Sequence, residues 1–356
     1  MNRIRFGYVG CGFLAQMVHH PNFKSLPDCD FLALAEVRPQ LLKKVGTRLG
    51  VPRLYSSHLE MAEDPDIEAV GISGGLSTQG ELAIPFLSRG KAVFMEKPMA
   101  TSVEQARRIL EAARTGGGRL MVGYMNRYDA GNQLARDWIR EFKRTGDVGK
   151  PTFIRIHGFG GDWIGGLDNP VDQTDEKAPE SPVVAPDWMP AGWHAAYVNY
   201  LQQFTHNVNL ARWLLDSTAK PRVRAVQLEE DRYKGTVILD YGGIPCNLES
   251  GNIDSHLWDD HTQVYFEKGW VKRSTHPLLL RNVPCEVEVY RAKPKRELIK
   301  PIPDPAWSWN YKREAQAFLH AVQTGQPFDS TGEDTLLDVE LFEDIFRFLL
   351  TERNEI

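Results

Sequence analysis

Two groupings of residues have the types and spacing to do chemistry. The first is Gly10-Cys11-Gly12-Phe13-Leu14-Ala15, a GxGxxA pattern between a short apolar run and a helix-like stretch. In that setting Gly10 permits a tight turn, Gly12 lets the backbone approach a pyrophosphate, and Ala15 lets the helix sit close to the strand. The helix N-terminus, opened by Phe13 and Leu14, then supplies N–H donors to the phosphates. Glu36 stands at the end of the second strand-like run, 26 residues after Gly10. An acid there accepts hydrogen bonds from the ribose 2′- and 3′-hydroxyls and repels a 2′-phosphate, which favours NAD. Arg38 keeps NADP open, because it could neutralise a 2′-phosphate or stack on adenine. A plain βα turn followed by a solvated acid is the rival reading.

The second grouping lies on a helix expected over Ala195 to Leu215. At about 100° per residue, Leu201, Phe204, Val208, Ala211 and Leu215 share one face. Gln202, His206 and Asn209 fall on the opposite one, with Asn199 beside them. From His194 to Leu215 the only formal charge is Arg212, whereas a solvated helix such as Glu104 to Arg114 is rich in charge. A stripe of amides and an imidazole suits a cleft that binds hydroxyls; a buried helix with satisfied amides is the alternative.

The elements that position these residues fall into two halves. Up to Tyr124, apolar runs at 3–9, 31–35, 67–72, 92–95 and 119–122 alternate with helical patterns at 41–49, 81–89 and 104–114, the last capped by Ser102. Strands alternating with helices imply βαβ units and a parallel sheet. Beyond Tyr124 come a helix at 131–145, a strand at 152–157 and an irregular insert at 158–192. Strand-like runs follow at 222–228, 234–241, 246–251, 262–267 and 285–290, and helices at 311–324 and 335–351 close the chain. Consecutive strands without helices between them indicate a largely antiparallel sheet. All nine Trp lie beyond residue 124, which supports a boundary there. The expected organisation is an α/β fold with a dinucleotide-binding domain over 1–124 and a second α/β domain over 125–356.

Composition narrows the function further. The chain has 356 residues, and at roughly 100–200 residues per domain it should form two. Its 42 basic and 47 acidic residues, with no basic run, argue against nucleic acid as a partner. No stretch approaches the ~18–20 apolar residues of a membrane span, so no membrane partner is expected. Residues 1–5 run straight into what reads as a strand, so no signal peptide is expected. Cys11, Cys29, Cys246 and Cys285 are scattered, with no metal spacing, and the histidines His19, His20, His256 and His261 make no metal set. The expectation is a soluble, cytoplasmic protein with reduced cysteines and no metal.

The fourth strand ends in Glu96-Lys97-Pro98, and the fifth leads into Val122-Gly123-Tyr124-Met125-Asn126-Arg127-Tyr128. Together with the GxGxxA start, Gly146-Asp147-Val148-Gly149-Lys150-Pro151, His206 to Leu215 and Ser330-Thr331-Gly332-Glu333-Asp334, these motifs resemble the Gfo/Idh/MocA family over nearly the whole chain. The resemblance implies an NAD(P)-dependent oxidoreductase acting on a sugar, glycoside or cyclitol. It also implies a Rossmann domain, an open and mostly antiparallel second sheet, and a homodimer or homotetramer built on that sheet. Lys97 matches the family lysine beside the nicotinamide, and Glu96 is counted with it among the cofactor contacts. An ammonium there can hydrogen-bond a developing alkoxide or relay its proton. His206 matches the family's general base, and Asn126 and Arg127 match positions near the substrate, with Tyr124, where the domains are expected to meet, counted among them.

Two departures stand out. Gln202 and Asn209 replace the aspartates that flank the family histidine, so His206 loses electrostatic support and Lys97 takes more of the proton work. Gly74-Gly75-Leu76 replaces a Thr-Pro-Asn-like turn, allowing close backbone approach to the dinucleotide without the side-chain contacts. Apart from these, residues 158–200 contain Phe159, Asp162, Trp163, Trp188, Trp193, Tyr197 and Tyr200. These suit stacking on a sugar, with Asp162, Trp163 and Trp193 placed at the substrate; a packed loop cover is the alternative. Two other functions share these features: a tightly held NAD recycled during transient sugar oxidation, and a non-catalytic nucleotide-sensing protein.

Overall fold

A computed structural model describes residues 3–164, 171–229, 234–253, 257–292 and 294–356. The chain forms two compact units. The first comprises Met1–Tyr124, Leu167–Pro186 and Tyr311–Val339; the second comprises Met125–Gly166, Asp187–Asn310 and Glu340–Ile356. The chain thus leaves the first unit at Tyr124 and returns to it twice.

The first unit holds strands β1 (Ile4–Val9), β2 (Cys29–Ala35), β3 (Arg53–Tyr55), β4 (Ala69–Ile72), β5 (Ala92–Glu96) and β6 (Arg119–Gly123) in the order 3-2-1-4-5-6. Every pairing is parallel. The order reverses between β1 and β4, the switch point where doubly wound folds bind dinucleotides. Strands β4 and β5 are buried along their whole length, as continuous apolar runs between two layers of helices should be. A π-helical turn (Ala15–His19) leads into α1 (His20–Ser25). Helices α2 (Pro39–Leu49), α3 (His58–Glu63), α4 (Gln79–Leu87) and α5 (Val103–Gly116) supply the crossovers. Ser102 caps α5 as expected, its hydroxyl accepting from the Gln105 N–H at 3.1 Å. Gly117, at φ +72°, ends the helix.

The second unit is built on eight strands: β7 (Pro151–Gly160), β8 (Arg222–Leu228), β9 (Gly235–Asp240), β10 (Pro245–Asn252), β11 (Asp259–Phe266), β12 (Gly269–Thr275), β13 (Glu286–Arg291) and β14 (Glu297–Ile299). Their order is 14-13-12-11-7-10-9-8, and only β7 with β10 runs parallel. Helices α6 (Ala130–Thr145) and α7 (His194–Leu214) cover one face, where Ile154 and Ile156 of β7 are buried. Asp129 caps α6 through the N–H groups of Gly131 and Asn132 and also accepts from the Cys285 N–H at 3.1 Å, tying the helix to the sheet. Helices α8 (Asn310–Thr324) and α9 (Gly332–Glu352) follow the last strand. Among the described residues no helix is long and apolar enough to cross a membrane.

Helix α8 completes the core of the first unit. Phe318 packs edge-on against Phe6 and Phe94, and Phe6 stacks on Phe23 with ring centroids 4.3 Å apart. One turn before Phe318, Glu314 is fully buried, and neither carboxyl oxygen has a hydrogen-bond partner among the described residues. Burial, reinforced by the nearby Glu96 charge, pushes its pKa far above the usual carboxylate range. The unfolded chain releases this proton at the ordinary carboxylate pKa while the folded chain retains it, so stability falls as pH rises from the first value toward the second. Glu314→Gln should therefore raise the melting temperature more at pH 8 than at pH 5. Equal shifts at the two pH values in thermal denaturation would contradict the assignment of a buried neutral acid.

Candidate active site

Gly10 closes β1 at φ +103°, and a Cβ built there would lie 2.3 Å from the Ser73 carbonyl oxygen. Only glycine fits this turn. A Cβ on Gly12 would meet nothing within 4 Å, so the space beside the turn is open where a pyrophosphate must approach. Phe13 and Leu14, both half-buried, form the first helical residues after it. The residues present fit a dinucleotide.

Glu36 lies at the end of β2, buried and fully engaged. Its Oε2 accepts from the Cys11 N–H at 2.9 Å and from Arg38 Nη2 at 3.0 Å. Its Oε1 accepts from the Arg38 N–H at 3.2 Å and from Arg38 Nε at 2.9 Å. Burial alone would raise its pKa, but Arg38 and the Cys11 N–H outweigh that and hold it below the usual range. A carboxylate offers about four lone-pair sites, so a further donor reaches Glu36 only by displacing one of these. Gly74 and Gly75 follow β4. A Cβ on Gly75 would lie 2.1 Å from Ser181 Oγ, so the chain itself makes the close approach there.

At the end of β5, Glu96 is buried and Lys97 half-buried. Glu96 Oε1 lies 2.8 Å from His19 Nε2, and its Oε2 accepts from the Lys97 N–H at 3.1 Å. Gln79, at the start of α4, donates to the carbonyls of Glu96 and Pro98 at 2.8 and 2.7 Å. The backbone on both sides of Lys97 is thereby pinned. Burial pushes the Lys97 ammonium below its ordinary pKa, opposed by Glu96. Neither His19 nor Gln79 was singled out from the sequence as a supporting residue. The π-turn aims His19 at Glu96 while turning His20 onto the Gly10 carbonyl at 3.1 Å. No local sequence signal announces that turn.

The second unit carries the other candidates. Asn199, Gln202 and His206 are half-buried along one side of α7, whereas Asn209 is buried and accepts from Arg127 Nε at 2.8 Å. Tyr124 ends the first unit, buried like Asn126 and Arg127, which begin the second. Asp162 caps its own turn by accepting from the Ile164 N–H, and Trp163 beside it is 38% exposed. Trp193 is 3% exposed: its ring meets Phe346, its N–H donates to Glu355, and Arg353 lies over it. The stacking role expected for Trp193 gives way to core packing, because the insert folds back onto α9. Tyr197 and Tyr200 are likewise buried against Phe346. His256 lies outside the described residues. All four cysteines are free and buried.

Residues 4–124 match the family model described as an oxidoreductase family with an NAD-binding Rossmann fold. The myo-inositol 2-dehydrogenase of Thermotoga maritima is 29% identical over 153 residues, which are 43% of this chain and 44% of that protein. The chain thus matches less than half the length of that relative. An uncharacterised oxidoreductase of Bacillus subtilis, YrbE, is 20% identical over 93% of this chain and 89% of its own. Among solved structures, an aldose–aldose oxidoreductase from Caulobacter crescentus superposes with a TM-score of 0.75 at 20% identity, covering 99% of both chains. A 3-ketoreductase from Actinomadura kijaniata, in complex with NADP and TDP-benzene, gives 0.71 at 19% identity over 97% of this chain and 98% of its own. These likenesses extend the shared fold over both units. The match to the oxidoreductase family model thus covers residues 4–124, the NAD-binding Rossmann part of the chain, and the inositol dehydrogenase likeness spans 43% of it.

Proposed function

We propose that this protein is an NAD-dependent oxidoreductase that interconverts a carbinol and a ketone on a sugar, glycoside or cyclitol. The observation that carries the reading is Lys97, a pKa-lowered lysine held at the carboxyl end of β5 by Glu96, His19 and Gln79 in a sheet whose first turn is shaped for a dinucleotide. When bound, NAD accepts or returns the hydride. The turn at Gly10 and Gly12 would hold its pyrophosphate, with Phe13 and Leu14 opening the helix behind it; Glu36 would take its ribose, with Arg38, Gly74, Gly75 and Glu96 bordering it.

Lys97 would donate a hydrogen bond to the reacting oxygen, its lowered pKa bringing it closer to proton exchange near neutrality. His206 would take the hydroxyl proton during oxidation and return it during reduction. Gln202 can orient the imidazole by a hydrogen bond but adds no charge, which leaves more of the proton work to Lys97. Tyr124, Asn126, Arg127, Asp162 and Trp163 would border the substrate, and Asn209 would hold Arg127 in place. The first unit, residues 1–124 with the returning segments, would serve the cofactor and the second unit the substrate. The half-buried outer face of the eight-stranded sheet, with Trp270 stacked on Tyr290 at 6.1 Å, supports a homodimer or homotetramer.

A second reading has a specific observation behind it. Residues 171–186 lie against Gln16, the start of α2 and Ser77, near the carboxyl ends of β1, β2 and β4. Such a cover favours a cofactor that stays bound and is recycled between turnovers. NAD(H) released by acid from the purified protein would support it.

The primary test follows NADH by its near-ultraviolet absorbance with NAD⁺ and a panel of sugars, glycosides and inositols. Substrate-dependent formation is expected; catalysis of neither direction by protein that binds NAD⁺ would refute an oxidoreductase. Lys97→Ala and His206→Ala should each lower kcat by about 10²–10⁴-fold, the usual contribution of a positioned proton donor or acceptor, with NAD⁺ affinity little changed. Turnover at the unaltered rate would remove the residue from the mechanism. Gly10→Ala, strained at φ +103° and pressed on Ser73, should instead abolish NAD⁺ binding, measured by calorimetry.

A further inference from the structure

The cover over the dinucleotide crevice is fastened by specific contacts. Asp172 and Gln16 exchange two hydrogen bonds, the Asp172 N–H donating to Gln16 Oε1 at 2.9 Å and Gln16 Nε2 to the Asp172 carbonyl at 3.0 Å. Asp172 also pairs with Arg48 at 2.5 Å. Farther on, the Val184 N–H donates to Ser77 Oγ at 3.1 Å. Between these points Glu176 lays its carboxylate on the N-terminus of α2. Its Oε1 accepts from the Gln40 N–H at 3.0 Å, and its Oε2 from the Leu41 N–H and the Thr174 hydroxyl, both at 2.9 Å.

That location is informative because α2 follows the strand ending in Glu36. A protein that accepts a 2′-phosphate on the adenosine ribose needs a cation just after this strand. The N–H groups opening the next helix are the other ready anion site. Here both are taken by carboxylates of the chain. Glu36 holds the Arg38 guanidinium through two hydrogen bonds, and Glu176 holds the helix N-terminus. Arg38 also feels the Glu176 charge directly.

We infer that Glu176 is a specificity residue which, from 140 positions away in sequence, adds to Glu36 in excluding the 2′-phosphate of NADP. The inference rests on the reading of the first unit as an NAD site. A helix N-terminus already satisfied by a carboxylate has no N–H free for a phosphate, and the carboxylate repels a second anion. The ribose diol of NAD carries no charge and meets neither obstacle.

Equilibrium binding of NAD⁺ and NADP⁺, measured by calorimetry on protein freed of copurified dinucleotide, separates the possibilities. Glu176→Gln should tighten NADP⁺ relative to NAD⁺ by about tenfold, the effect of one partly solvated charge at a few ångströms. Glu176→Lys should shift the ratio further in the same direction. Asp172→Asn, which loosens the same segment at Arg48 but leaves Glu176 charged, should keep the original ratio. A ratio unchanged in both Glu176 variants overturns the inference. So does an equal weakening of the two dinucleotides, which would reduce Glu176 to a fastener, and so does an Asp172→Asn shift as large as that of Glu176→Gln. If the unaltered chain binds neither dinucleotide, the NAD reading fails and this inference with it.

Discussion

The carboxylate of Glu36 joins parts of the chain that would otherwise be independent. One oxygen takes the Cys11 N–H inside the glycine turn, and both hold Arg38 beyond β2. The turn after the first strand and the end of the second are thereby locked at one spacing. A buried carboxylate is costly unless its lone pairs are satisfied, and here each is. The same satisfaction fixes the geometry: a side chain with four donors around it has little freedom left.

The carboxyl end of β5 repeats the device with a different purpose. Glu96 is buried and meets His19 on one side and the Lys97 backbone on the other, while Gln79 takes the flanking carbonyls. A hydrogen bond contributes little net stability, because folding exchanges bonds to water for it. What these bonds contribute is placement. Lys97 projects from a backbone pinned on both sides, so its side chain starts from a fixed point.

Much of the fold was legible from the chain alone, and the failures share a cause. Continuous apolar runs announced β1, β2 and β4 to β6, and Ser102 announced the start of α5. Strand β3 is three residues, Arg-Leu-Tyr, too short for any period to show. Strand β12 was missed because Arg273 stands at an inward position. It is 1% exposed, with Asp260 at 2.8 Å and the Thr262 hydroxyl at 3.0 Å, and a charge there breaks the alternation that identifies strands. The glycine turn and Glu36 were readable because their spacing is local. The His19–Glu96 pair, the cover at 171–186 and Glu176 were not, since each depends on contacts between segments far apart in sequence. The aromatics of 158–200 left two readings open, a stacking surface or a packed cover, and Trp193, Tyr197 and Tyr200 pack into a core while Trp163 stays exposed.

The two returns of the chain to its first unit bear on its biosynthesis. Phe6, Phe23, Phe31 and Phe94 are all translated before residue 100, yet Phe318, which packs against three of them, is not. At roughly 5–20 residues per second, a ribosome leaves that aromatic face uncovered for tens of seconds. The segment most easily recognised as an independent domain is therefore the one that cannot finish folding while it is being made. Cut out at Tyr124, it would expose a phenylalanine cluster to solvent and behave as a sticky intermediate. Its core is completed only once α8 has been made and has left the exit tunnel.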